Sequence, residues 1–357
     1  MKRLQRDPIR FDVFDAFAAF GQQEKISLRD PAAASGFVDR ARASVERSLS
    51  NDALLHGLRT ESMFEAMTAS LGAVEIIKQE DAGRIYVTDT RLKVPDFRLV
   101  LKDGSQMLVE VKNFYQGQGE KARRPFELDR DYVEGLTLYA GAMKCTLFIA
   151  IHWAVWNIWT LVRPEAFRDE GRTKALSLQE AMVANHMGTL GDYSVGTNFP
   201  LSMVMIADRT KPRTVGADGS GGFTIGKVEL YCAGRLIEDP LERRIATHLI
   251  FFGKWNYETE AKIVANQIDA VEHRWTPDED HEQGFEFVDS ISGMFSTLYK
   301  FATQGEDKIE NLQLDAGPEW GLLIPEDYKG KALPLWRFIL EPSSPAMPDK
   351  PTIQIPK

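Results

Sequence analysis

The chain has 357 residues, of which 43% are hydrophobic and 27% charged, and a formal net charge of −9. That length suits a sizeable core and about two domains of ordinary size. The acidic balance excludes a surface that is basic all over, so a nucleic-acid partner would have to meet a local basic patch. The two cysteines, Cys145 and Cys232, lie in apolar stretches and imply no disulfide framework. The N-terminus lacks an apolar signal core, and no run approaches the roughly 20 apolar residues that span a bilayer. The expectation is a cytoplasmic protein without a membrane partner.

Residues 1–50 are predicted to form an N-terminal helical segment, because "DVFDAFAAFGQQ" and "SGFVDRARASVERSL" repeat apolar residues at helical spacing. A further helix is expected to start at Asn51 or Asp52, both good N-caps, and to stop at Gly72. Its apolar face carries Leu54, Leu58, Phe64, Met67 and Leu71. Short strands follow in "AVEIIKQ", "RIYVTD", "DFRLVL" and "QMLVEVKN", and the Asp-Gly of "KDGS" marks a hairpin turn between the last two. A polar loop with Lys121, Arg123 and Arg124 leads to "FELDRDYVEGLTLYAGAM", read as a helix, and then to the strands "CTLFIAIHW" and "VWNIWTLV". Residues 51–165 thus read as an α/β domain with a mixed sheet, in the order α-β-β-β-α-β-β when three of the four short strands are counted to its core.

The stretch "EAFRDEGRTKALSLQEAMVANHMG" reads as a helical connection. A C-terminal α+β domain is expected over 190–340, serving recognition, dimerisation or regulation. Its predicted strands are "LSMVMIAD", "GFTIGKVELYCAG" and "ATHLIFFGKW", with helix over 260–305. "GADGSGG" lacks the trailing Lys-Ser/Thr of a phosphate-binding loop and reads as a hairpin loop. Residues 341–357 form a proline-rich tail.

Chemistry concentrates in "KVPDFRLVLKDGSQMLVEVKNF". Strand alternation places Leu108, Glu110 and Lys112 on one face, and the Asp-Gly turn brings Asp96 to the same end of the hairpin. Such charges either lie on a wet face, the ordinary fate of alternating charges on an edge strand, or share a site. Two carboxylates and an ammonium suit a hard divalent cation, Mg²⁺ with Mn²⁺ as a substitute, for hydrolysis of a phosphodiester. The lysine would position water and offset transition-state charge.

Pro95-Asp96, thirteen residues, then Glu110-Val111-Lys112 resembles the PD-(D/E)XK signature of restriction-endonuclease-like nucleases. The αβββαβ core of that superfamily is similar to the order read over 51–163. The resemblance implies Asp96, Glu110 and Lys112 as catalytic residues, with Asp96 and Glu110 holding the metal. It also implies a further catalytic, metal-holding acid on the preceding helix: in "SMFEAMTASLG" the matching residue is Glu65, with Glu61 one turn earlier as its competitor. DNA is then the expected substrate ahead of RNA, and a homodimer the expected assembly. An activator or partner protein is compatible with a role in prokaryotic antiviral defence, restriction or repair. Lys121, Arg123, Arg124 and Arg130 are candidates for phosphate contact, and the resemblance also implies a polar residue near the site on the following helix, Tyr132 or Arg130. The competing reading is a non-catalytic nucleic-acid-binding or interaction module that retains the fold. His152 reads as structural, and His273 and His281 fit no zinc spacing. Trp153, Trp156 and Trp159 read as core or dimer contacts.

Overall fold

The structure, a computed structural model, describes residues 12–82, 85–117, 119, 124–278, 282–305, 308–314 and 324–343. Three helices open the chain: α1 (Phe14–Glu24), α2 (Pro31–Leu49) and α3 (Asp52–Leu71). Asp30 caps α2 by accepting from the Ala32 N–H, with Pro31 in the first turn. Asn51 caps α3 through the Leu54 N–H, and Gly72, at φ +89°, ends it in the left-handed conformation that glycine adopts without penalty.

Next come β1 (Val74–Gln79), β2 (Phe97–Leu101), β3 (Gln106–Phe114), β4 (Phe126–Asp129), α4 (Arg130–Met143), β5 (Thr146–Trp153) and β6 (Ile158–Val162). Five of these strands form one sheet in the order β1-β2-β3-β5-β6. The β3–β5 pair is parallel, joined through α4, and the other pairs are antiparallel. The Asp-Gly turn lies where expected, with Gly104 at φ +83°. Alternation along β3 divides the core. Met107, Val109 and Val111 pack with Met63, Phe64 and Met67 of α3. Leu108 packs with Leu136, Tyr139 and Ala140 of α4 on the other face.

Farther along are β7 (Arg168–Asp169), β8 (Thr173–Leu176), α5 (Leu178–Val183), β9 (Ser194–Thr197), β10 (Leu201–Ala207), β11 (Ile225–Cys232), β12 (Arg235–Leu236) and α6 (Pro240–Phe252). The last elements are β13 (Asn256–Val264), β14 (Gln267–Thr276), β15 (Glu286–Ser290), α7 (Ile291–Thr303) and β16 (Leu335–Phe338). They supply three further sheets, ordered β12-β11-β10-β14-β13, β15-β9-β16 and β4-β8-β7. Helix α7 serves two cores: Phe295 and Tyr299 join the α3 side of the first sheet, while Ile291 and Met294 join a cluster with Leu249 of α6. The indole N–H of Trp159 donates to Ser296 Oγ at 2.8 Å, tying β6 to α7.

The whole is a mixed α/β structure, and several expected elements differ. Residues 85–89 of "RIYVTD" form no strand, and Tyr86 is 90% exposed. "FELD" is strand β4, paired with β8, because Asp129 caps α4 through the Tyr132 N–H and so fixes the helix start after it. The 165–188 connection holds a short hairpin and only six residues of α-helix. "ATHLIFF" is helical in α6, nucleated by Asp239, which accepts from the Leu241 and Glu242 N–H groups. Residues 256–276 form a two-stranded ribbon, leaving α7 as the helix of the 260–305 stretch. "GADGSGG" lies between β10 and β11, closed by the Val215–Gly221 bridge. No helix among the described residues is long and apolar enough to cross a membrane. Residues 344–357 of the predicted tail lie outside the described residues.

Candidate active site

The register that pairs Phe97 with Val109 sets Asp96 opposite Glu110 at the end of the hairpin. Asp96 Oδ2 accepts from the Val111 N–H at 2.7 Å, so the backbone of β3 itself orients this carboxylate. Glu110 is 1% exposed. Its Oε1 accepts from Lys112 Nζ and, at 2.5 Å, from the Tyr132 hydroxyl of α4. Its Oε2 is buried and has no hydrogen-bond partner among the described residues. Lys112 lies 5.2 Å from the centre of the Tyr132 ring, which covers it from the helix side.

Electrostatics match this crowding. Burial pushes the Asp96 carboxyl well above the ordinary carboxylate range, and the Glu110 charge pushes it further; the Val111 N–H and Lys112 only partly offset them. Burial also raises Glu61, with Lys112 opposing and Asp81 and Glu110 reinforcing the rise. The Tyr132 phenol is raised by burial and by the Glu110 carboxylate, so it stays a protonated donor. A cavity of about 570 Å³ opens beside the cluster, lined by Lys93, Lys112, Glu127, Asp129, Asp131 and Tyr132 among others.

Asp96, Glu110 and Lys112 are therefore brought together. Glu65 is not: the α3 acid whose charge reaches Asp96, Glu110 and Lys112 is Glu61, whereas the charge of Glu65 is felt at Tyr299 of α7. The two acids are one helical turn apart. Arg130 is held in an ion pair with Asp169 of β7, and Arg124 lies with its guanidinium 5.4 Å from the Phe114 ring centre. Lys121 and Arg123 lie outside the described residues. Tyr132, which the sequence offers beside Arg130 at the start of this helix, reaches the cluster through Glu110, and Lys93 lines the cavity beside it. His152 is buried between Asn113 and Asn157. Trp153 and Trp159 are core, while Trp156 is half-exposed at the β5–β6 turn.

The donor set fits a hard divalent cation. Two like charges held together with one carboxylate oxygen unpartnered is a costly arrangement unless a cation joins them. Among the described residues no group of three His, Cys, Asp or Glu is gathered closely enough to hold a metal alone. Water and phosphate oxygens would complete the shell, as they do for Mg²⁺.

No protein-family model matches the sequence, and no curated protein matches it. Among solved structures, the chain is similar to Hjc, a Holliday junction resolvase from Archaeoglobus fulgidus. The TM-score is 0.26 and the identity 14%, over 32% of this chain and 84% of that one. A likeness of that size carries no weight for function, and the geometry of the hairpin end stands by itself.

Proposed function

We propose that the chain is a metal-dependent nuclease that hydrolyses phosphodiester bonds, with DNA as its substrate. The observation that carries this reading is the cross-strand pair of half-buried Asp96 and buried Glu110, with Glu110 Oε2 unpartnered and Lys112 beside it. Its motif resembles PD-(D/E)XK, and the order α3-β1-β2-β3, then α4-β5, agrees with that resemblance.

Asp96 and Glu110 would hold the ion, with the Glu61 charge acting on them from α3. The chemistry that bound Mg²⁺ supplies is polarisation of the phosphoryl oxygens and a water acidic enough to attack near neutral pH. The Val111 N–H fixes the Asp96 carboxylate, and the Tyr132 hydroxyl fixes that of Glu110, so neither must reorganise when substrate arrives. The Lys112 ammonium orients the attacking water and offsets the charge that grows on the phosphoryl group. Cutting both strands of a duplex requires two such sites, which a homodimer would supply. By the same resemblance, the setting is defence against foreign DNA, or repair.

The test is incubation with plasmid, single-stranded DNA and RNA, in Mg²⁺, Mn²⁺ or EDTA. Cleavage is expected to need the metal and to fall by at least about 10²-fold in Asp96→Ala and Lys112→Ala. Undiminished cleavage by either folded variant sinks the site assignment. Binding of DNA without cleavage of any substrate would instead favour a non-catalytic module.

A further inference from the structure

A second cavity, about 750 Å³, lies where β6 of the first sheet meets the β15-β9-β16 sheet and the start of α7. Its walls are largely apolar, with Trp159, Met182, Tyr193, Phe287, Phe338 and Leu340 among them. The volume falls within the range of small-molecule sites, roughly 300–1,000 Å³. Among the described residues its charged groups are Asp192, Asp278, Glu286 and Asp289, with Lys254.

Asp192 is already satisfied, accepting from the Ser292 N–H at 2.9 Å and from the Ser292 hydroxyl at 2.6 Å. Asp289 is different. Its side chain is 7% exposed, its Oδ1 takes the Ser290 N–H, and its Oδ2 has no partner among the described residues. Lys254 Nζ stands 3.3 Å from Oδ1, but that side chain is 53% exposed and also reaches the Trp156 carbonyl at 3.3 Å. An exposed lysine shared between two acceptors is a loosely held counter-ion, and a buried carboxylate oxygen left bare is a standing cost.

We propose that this cavity binds a small organic cation: an amine or amidinium on a ring-sized apolar body, its charged head taking the place of Lys254 Nζ at Asp289. The Asp289 carboxylate disfavours an anion, and the apolar walls suit no bare metal ion. The inference does not rest on the nuclease reading, and its test uses no activity.

Benzamidine, benzamide and benzoate share one shape and differ in charge, so they are titrated against the full chain by calorimetry and ligand-observed NMR. Benzamidine is expected to bind at least about tenfold more tightly than benzamide, the size of one charge-assisted hydrogen bond, with no binding of benzoate. Asp289→Asn should erase that preference. Lys254→Met, which removes the competing cation, should strengthen benzamidine binding several-fold. Phe287→Ala, at a half-exposed wall position, should weaken benzamidine and benzamide alike. Equal binding of the two, a preference that survives Asp289→Asn, or no benzamidine binding at millimolar concentration overturns the proposal. If Asp289→Asn fails to fold, Lys254→Met decides alone: unchanged or weaker benzamidine binding overturns it.

Discussion

At the hairpin end, Asp96 and Glu110 press two carboxylates together with one oxygen bare, and the fold bears the repulsion. Because the folded state raises the Asp96 carboxyl, it holds that proton more tightly than the unfolded chain does. Stability is therefore full below the ordinary carboxylate range and declines as pH rises through the raised range. Thermal melts in EDTA between about pH 5 and pH 9 should show this fall in the natural protein and a flatter profile in Asp96→Asn. Added Mg²⁺ should reverse the fall in the former and not in the latter. Tyr132→Phe leaves the carboxylates in place but removes the hydroxyl that fixes Glu110. Cleavage should drop about 10–100-fold, with a higher Mg²⁺ concentration needed for half-maximal rate. Asp96, Glu110 and Lys112 were legible because hairpin register and strand alternation are strict, local rules. Which of Glu61 and Glu65 faces the hairpin depends on how α3 packs against the sheet, which residues of the helix and the hairpin do not encode separately.

At the scale of elements, α4 is locked to the segment that carries Asp96. The Gly135 carbonyl accepts the Lys93 N–H at 3.0 Å, and a Cβ at Gly135 would come within 2.5 Å of the Arg91 carbonyl oxygen and 2.6 Å of Lys93 Cγ. Gly135→Ala should cost about 1–3 kcal/mol in urea denaturation, the scale of overpacking in a tight contact. Gly141→Ala in the same helix, where an added Cβ meets nothing within 4 Å, is the control and should be neutral or stabilising. The elements read correctly had local punctuation: Asn51 and Gly72 around α3, and the Asp-Gly turn between β2 and β3. The misread ones took their state from distant partners. "FELD" is extended because β8 pairs with it, and the β13–β14 ribbon is held by β10 on its inner side. In α6, the β-branched and aromatic run masked an Asp-Pro start that was present in the sequence at 239–240.

Across the whole molecule, α7 closes the core that supports the hairpin. Tyr299 is fully buried in that core, donates to the Leu312 carbonyl at 2.7 Å, and has the Arg59 guanidinium 5.4 Å from its ring centre. Tyr299→Ala should destabilise the fold by about 3–5 kcal/mol. It should also depress cleavage although it lies outside the carboxylate cluster, as read by denaturation and plasmid cutting on the same preparation. Nothing local near residues 290–303 announces that role; the amphipathic pattern foretells a packed helix, and only the chain's path back across β6 says against what.

That closure also sets a schedule. Lys112 leaves the ribosome roughly 190 residues before Tyr299 does. At about 5–20 residues per second, the interval is on the order of ten to forty seconds. Throughout it, the strands bearing the acids wait without the helix that seals them. The carboxylate cluster would thus gain its full support only once α7 has been made, and a chain stopped before Tyr299 would lack the packing that closes that core.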